Sequence, residues 1–253
     1  MQQTILITGA SRGLGKALAL KLARADTTLL LWARNEEALA EVEELCRAKG
    51  AVVEILAIDL IDINAIQQAV RNAGVIDVVY VNAGLFDGAR SINAMEELDS
   101  ELAVIDVNLR SAIALANITV RAMRERGTGH IVFISSLAAT FPLADAAGYS
   151  ASKAGLSAYA ESLRQKLGRD GIKITDVQPG HIETDMIEGH DGLLPMIVSA
   201  EKAADLIVAK VAAGKSHISF PWPLNWGTWL AQFLPVWARS NIAETHRFKI
   251  DKK

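Results

Sequence analysis

Short continuous apolar runs alternate along most of this chain with stretches whose apolar residues recur every three or four positions. Runs at 4–8, 27–33, 52–59, 76–81, 130–135, 172–178 and 217–220 predict buried strands. Helical spacing follows them through Leu18, Leu22 and Ala25, from Arg34 to about Gly50, and then over roughly 63–73, 99–126, 149–168 and 200–213. Such an alternation predicts parallel strands, right-handed crossovers and helices on both faces of one sheet. No linker, low-complexity tract or internal repeat interrupts it, so residues 1–220 read as one α/β domain. Between 185 and 199 two glycines, a proline and mixed residues give the composition of a mobile lid. Residues 221–253 leave the pattern as an extension that gathers Trp222, Trp226, Trp229 and Trp237, at spacings near three and four that can line one helical face.

The strand ends carry the chemistry. After the first run comes Thr8-Gly9-Ala10-Ser11-Arg12-Gly13-Leu14-Gly15. Glycines there permit a tight turn and the close approach of a pyrophosphate to unpaired N–H groups at a helix start, although the spacing differs from the usual G-x-G-x-x-G. The second run ends at Ala33-Arg34, where an NAD site would place Asp or Glu on the ribose hydroxyls. Arg34 and Arg12 offer two guanidinium groups and no carboxylate, which favours a 2′-phosphate and hence NADP(H). The plainer reading of Arg34 is a cap on a solvated helix start. Asn82-Ala83-Gly84 places an amide and a flexible backbone at the carboxyl edge of the sheet, or else forms an ordinary turn. Pro179-Gly180-His181-Ile182-Glu183-Thr184 closes the sixth strand.

The fifth run leads into Ser135 and Ser136, a loop of small residues and a helix opening at Tyr149. Tyr149 and Lys153 lie four residues apart and so share a helical face. A positive charge about 5 Å from a phenol, at an effective dielectric of about 20, favours the phenolate by roughly 3 kcal/mol, or about two pH units. That moves a tyrosine toward the range of a working acid or base. Ser136 could hydrogen-bond a substrate oxygen beside it. The pair alone is weak evidence, because Tyr-x-x-x-Lys arises readily by chance. Asn108 sits in an apolar helix face, where it is either satisfied locally or polar for a purpose. His181 and His190 have no ligand-spaced partners and read as solvated loop histidines, so no metal site is expected.

Composition narrows the classes. With 253 residues, 51% apolar and 22% charged, the chain suits one large domain with a well-buried core. A net charge of −3 gives no general attraction to nucleic acid. The single cysteine, Cys46, excludes an intramolecular disulfide and a cysteine-based zinc cage. The first residues enter a strand without a basic leader and apolar core, which predicts a cytoplasmic protein, and no stretch offers 18 uninterrupted apolar residues.

Taken jointly, the glycine turn of 8–15, Asn82-Ala83-Gly84, Asn108, Ser136, Tyr149-x-x-x-Lys153 and Pro179-Gly180 resemble the short-chain dehydrogenase/reductase family over residues 4–220, in its ordinary short-chain type. The resemblance implies a single doubly wound Rossmann domain with a seven-stranded parallel sheet of order 3-2-1-4-5-6-7 that binds a nicotinamide coenzyme. It implies Tyr149 as acid/base, Lys153 lowering its pKa and holding the nicotinamide ribose, Ser136 polarising the substrate carbonyl and Asn108 supporting a proton relay. By the same likeness, Gly9, Ser11, Arg12, Gly13, Leu14, Gly15 and Arg34 belong to the coenzyme site, with Asp59 and Leu60 beside the adenine. Asn82, Ala83, Gly84, Pro179, Gly180 and Ile182 join them, and Thr184 resembles the residue that contacts the nicotinamide amide. A homodimer or homotetramer is implied, with the Asn108 and Tyr149 helices paired across a two-fold axis.

The expected activity is an NADP(H)-dependent oxidoreductase that moves hydride between the nicotinamide and a carbonyl or secondary alcohol. The alternative is a coenzyme-binding sensor of the same fold without turnover. Leu137, Phe141, Leu143 and the lid near 187–196 predict an apolar pocket and a lipophilic small-molecule substrate. The tryptophans, followed by Arg239, Arg247, Lys249, Lys252 and Lys253 against Glu244 and Asp251, suit peripheral contact with an anionic membrane. Packing over the substrate pocket or a neighbouring subunit is the other reading of the extension.

Overall fold

A computed structural model describes residues 2–92, 94–185, 191–192 and 194–250. Seven of the predicted strands form: β1 Gln3–Thr8, β2 Thr27–Ala33, β3 Val52–Ala57, β4 Val78–Val81, β5 Gly129–Ile134, β6 Ile172–Pro179 and β9 His217–Phe220. They make one parallel sheet of order β3-β2-β1-β4-β5-β6-β9. This is the expected topology, with the seventh sheet strand numbered β9 because two short strands, β7 Ile182–Glu183 and β8 Val198–Ser199, pair separately.

Period-two alternation sorts each strand between two cores. Ile5, Ile7, Leu29, Leu31, Val132 and Ile134 face the layer of α1 Gly13–Leu22, α2 Glu36–Arg47 and α7 Ala200–Ala212. Leu6, Leu30, Trp32, Ile131 and Phe133 face the layer of α3 Ile63–Asn72, α5 Ser111–Arg126 and α6 Ala147–Leu167. Burial on both faces explains why the strands read as unbroken apolar runs. Local caps set the helix starts: Asn35 Oδ1 accepts from Ala38 N, Asp62 Oδ1 from Ala65 N, and Ser199 Oγ from Lys202 N. Asn35 therefore caps α2, and Arg34 does not.

The helix expected over 99–126 has a different build. α4 Leu98–Ile105 passes through a π-turn, Asp106–Arg110, into α5. The widened turn holds Asn108, whose amide bonds the chain beyond β4, and π-turns of this kind are frequent at functional sites. Together these 29 residues are apolar and long enough to cross a bilayer. Val104, Ala112, Leu115, Ala116 and Val120 are buried in the protein core, which accounts for that apolarity.

The segment expected to be a lid ends in β8, which pairs with β7 and leads directly into the Ser199 cap of α7. Residues 186–190 and 193, including Ile187 and His190, lie outside the described residues, as do Asp251, Lys252 and Lys253. The extension forms two helices, α8 Trp222–Ala231 and α9 Val236–Glu244, because Pro235 restarts the chain between them. Trp237 thus stands on a different helix from the other three tryptophans.

Candidate active site

Strand order reverses between β1 and β4, and the carboxyl ends of the strands open there into a cleft of about 1360 Å³. Single-ligand pockets run to about 1,000 Å³, so this cleft has room for a dinucleotide and a second molecule.

One wall is the glycine turn. Gly9 has φ +66°, and a Cβ there would stand 2.9 Å from Ala83 Cα. A Cβ on Gly15 would lie 2.0 Å from the Gly9 carbonyl oxygen, so no side chain fits. Chain and helix start thereby form a cradle of bare backbone at the amino end of α1, the arrangement that receives a pyrophosphate. Thr8 locks this cradle to the next strand. Its Oγ1 accepts from the N–H groups of Asn82 and Ala83, both at 3.0 Å, while Asn82 Nδ2 donates to Thr8 O at 2.9 Å. Asn82-Ala83-Gly84 is therefore the clasp between β4 and β1.

Ser11, Arg12, Gly13, Leu14, Arg34, Asp59, Leu60, Gly84, Pro179, Gly180, Ile182 and Thr184 also line the cleft. Arg12 and Arg34 are both exposed on its rim. Arg12 has a carboxylate partner from elsewhere in the chain: Asp185, from across the cleft, pairs with it at 3.5 Å. A distant loop supplies it, so the sequence around either arginine does not announce it. Asp59 Oδ1 accepts from Ile61 N and shapes the chain after β3.

The second wall holds the proton chemistry. The two adjacent serines are separated by strand alternation. Ser135 is buried, donates to Lys153 O at 2.9 Å and accepts from Ser157 Oγ at 2.8 Å, whereas Ser136 starts the 3₁₀ turn Leu137–Ala139 and lies beside the Tyr149 phenol. Lys153 Nζ stands 5.7 Å from the centre of the Tyr149 ring and donates to Ile134 O at 2.8 Å. A methyl on Gly84 would meet Asn108 Oδ1 at 3.2 Å and Lys153 Nζ at 3.6 Å, which shows how closely these groups converge. Asn108 spends its amide on three bonds: Oδ1 accepts from Leu85 N at 2.7 Å, and Nδ2 donates to Leu85 O at 2.9 Å and Ser152 Oγ at 3.1 Å.

Burial reverses the expected phenol shift. Desolvation raises the Tyr149 pKa above its ordinary 10, only partly opposed by the Ser136 hydroxyl. The same desolvation lowers Lys153 from 10.5 to about 8, partly opposed by the buried carboxylate of Asp176. A charge four residues away is legible in the sequence, whereas the water lost around the phenol is a property of the folded cleft.

Several neighbours escaped the sequence reading. Phe86 packs edge-on against Tyr149 with ring centres 4.8 Å apart, and Phe248 stacks on Phe86 at 6.0 Å. Phe248 arrives on a C-terminal strap in which Arg247 Nε donates to both Asp145 oxygens, at 2.9 and 2.8 Å, and Ile250 N donates to Ala89 O. His181 is no solvated residue: it lines the cleft, its Nδ1 is 3.1 Å from Pro195 O, and burial lowers its pKa. Leu137, Phe141, Leu143 and Met196 form the apolar wall as expected, joined by Leu224, Ile242, Phe248 and Ile250 from the extension. The extension thus covers the pocket with one of its faces. Among the described residues no His, Cys, Asp and Glu cluster is placed to hold a metal ion. Cys46 is buried in α2 with its thiol pushed up to about 11, an unreactive state.

A nucleotide cradle at the switch point of a doubly wound sheet, beside a Ser-Tyr-Lys cluster, defines a Rossmann-type oxidoreductase. The short chain dehydrogenase family pattern matches residues 3–191, and the chain belongs to that family. An uncharacterised oxidoreductase of Myxococcus xanthus is 34% identical over 237 residues, covering 92% of this chain and 93% of that protein. A metagenomic short-chain oxidoreductase solved with NADP is 33% identical, with a TM-score of 0.72 over 86% of this chain and 94% of the other. A short-chain dehydrogenase of Sphingobium yanoikuyae solved with NADPH shares the fold at a TM-score of 0.78 and 24% identity, over 97% and 96% of the two chains.

Proposed function

We propose that the protein passes hydride between NADP(H) and the carbonyl or secondary alcohol of an uncharged, lipophilic small molecule. The observation that carries this reading is the meeting of Ser136, Tyr149 and Lys153 in a cleft that they share with the apolar side chains of Phe86, Leu137, Phe141, Leu143 and Phe248. The bound nicotinamide would supply or accept the hydride. The backbone of Gly9 and of Ser11 to Gly15 would hold the pyrophosphate, with Asp59 and Leu60 at the adenine and Asn82, Ala83 and Gly84 along the ribose. Pro179, Gly180, Ile182 and Thr184 would flank the nicotinamide. Arg34 lines the cleft next to Ala33, which stands where an NAD site has an acidic ribose ligand, and this supports the 2′-phosphate form, as does the NADP carried by the metagenomic relative; Arg12 would join it by leaving Asp185.

Ser136 is placed to donate to the substrate oxygen, and Tyr149 to exchange the proton with it. An ammonium has three donors, and Lys153 has committed one to Ile134 O, leaving two for ribose hydroxyls and water. Asn108 holds the segment after Gly84 against α6 and keeps that geometry.

The test is NADPH oxidation against a panel of aliphatic, aromatic and polar ketones. Tyr149→Phe retains the ring and should lower turnover by roughly 10² to 10⁴-fold while NADPH affinity changes little. Full turnover in that variant overturns the assignment. Tight NADPH binding without turnover on any ketone would instead favour a coenzyme-sensing protein.

A further inference from the structure

α8 and α9 divide their side chains between two surroundings. Leu224, Gly227, Thr228, Ala231, Ile242 and Ala243 line the cleft. On their other side the same helices and the turn between them expose Trp222 and Phe233 at 73%, Trp237 at 70% and Val236 at 69%, with Trp226 and Trp229 about half exposed. The rings are gathered rather than scattered: Trp229 lies 5.6 Å from Trp226 and 5.0 Å from Phe233, centre to centre. A contiguous surface of this size and composition marks a docking site.

Three observations choose the occupant. The chain carries more acidic than basic residues, 29 against 26, yet from Pro221 to Ala243 it has no acidic side chain and one charge, the exposed Arg239, and the acid that ends α9, Glu244, is paired with Arg247. Indole rings with isolated polar residues and a cation match the headgroup zone of a bilayer. Helices of 10 and 9 residues are about half the length needed to span it, so they would lie along the surface. The reverse face of these helices, through Leu224, Ala231 and Ile242, lines the cleft, so lipid contact on the outer face leaves that lining in place.

We infer that the outer face of α8 and α9 docks on a membrane surface containing anionic lipid. Docking does not depend on the reaction assigned above. Trp222, Phe233 and Trp237 enter the headgroup layer, and Arg239, at the edge of this face beside Phe141 and Pro142, reaches the lipid phosphates.

The experiment uses the full chain with vesicles of phosphatidylcholine and phosphatidylglycerol, at 50 and 500 mM salt, and with phosphatidylcholine alone. Co-sedimentation should be strongest with the anionic vesicles at low salt. Brominated lipid should quench most of the tryptophan emission, because four of the five tryptophans lie on this face and Trp32 is buried. A Trp222→Gln, Phe233→Gln, Trp237→Gln variant should lose vesicle affinity at least tenfold with NADPH affinity unchanged, and Arg239→Gln should lose about fivefold on anionic vesicles only. Absence of binding and quenching at low salt overturns the inference. So does a triple variant that binds vesicles normally, or one that merely converts a dimer to a monomer, which would assign the face to a second copy.

Discussion

Replacing Lys153 with Met should stabilise the protein while disabling it. Lys153 is 5% exposed, and burial takes its pKa from 10.5 to about 8. Each tenfold change in proton affinity is worth about 1.4 kcal/mol, so holding this ammonium in the fold costs about 3 kcal/mol at pH 7. Methionine fills similar space without charge, but leaves Ile134 O without its donor, which costs about 1 kcal/mol. A net gain of about 2 kcal/mol remains. The sign with pH is fixed: the folded pKa lies below the unfolded one, so the cost is fully present below pH 8 and fades as pH rises toward 10.5. Urea unfolding of both proteins from pH 7 to 10 should show the difference between them move by about 2.5 kcal/mol, so that the variant's advantage of about 2 kcal/mol is gone at pH 10. A variant less stable than the parent at pH 7, or an advantage that does not vary with pH, would refute the reasoning. Turnover and NADPH affinity should both fall in the same variant, as expected of a charge kept for function at the expense of stability.

His130 gives a separate acid test. Its Nε2 lies 2.8 Å from Thr175 Oγ1, whose own proton goes to Lys215 O, and burial lowers its pKa from 6.5 to about 4. Stability should therefore decline as pH falls from 6.5 to 4, by about 2.5 kcal/mol at pH 4.5, and His130→Gln should remove that part of the loss; parallel acid curves would sink the argument. Coenzyme choice tests the rim: charge-assisted bonds from Arg12 and Arg34 at roughly 1.5 to 3 kcal/mol each should favour NADPH over NADH by about tenfold to a thousandfold in kcat/KM. Ala33→Asp should reverse that order and Arg34→Ala should weaken NADPH alone; equal use of both coenzymes by the parent protein would show the arginines to be surface residues only.

How far the sequence could be read depended on where each property is stored. Strands such as 27–33 were plain because burial on both faces writes an unbroken apolar run, whereas the start of α2 was read one residue early, at Arg34 instead of the Asn35 cap. Ser136 could be singled out because it lies at the carboxyl end of a predicted strand, thirteen positions before Tyr149. The π-turn at Asp106–Arg110 leaves no local trace, since it is set by contact between Asn108 and Leu85, which come from different parts of the chain. The β7–β8 pair is two residues long on each side, too short to carry a period. Phe86 and Phe248 meet at Tyr149 only through the strap that Asp145 holds, and no spacing rule links them. The phenol pKa failed for the same reason: a neighbour four residues away is local, whereas loss of water is a property of the whole cleft.

That loss of water also bears on direction. In water a phenol at about 10 and an ammonium at about 10.4 titrate together. In this fold one desolvating wall moves them apart, Tyr149 upward and Lys153 down to about 8, so the lysine releases its proton first. Near neutrality Tyr149 is then a protonated donor beside Ser136, the state that carbonyl reduction requires. Alcohol oxidation needs Tyr149 as a base and works against the same burial. The apolar lining contributed by Phe86, Phe248 and the extension thus acts on chemistry as well as on substrate fit: by excluding water it holds the proposed acid in its donating form.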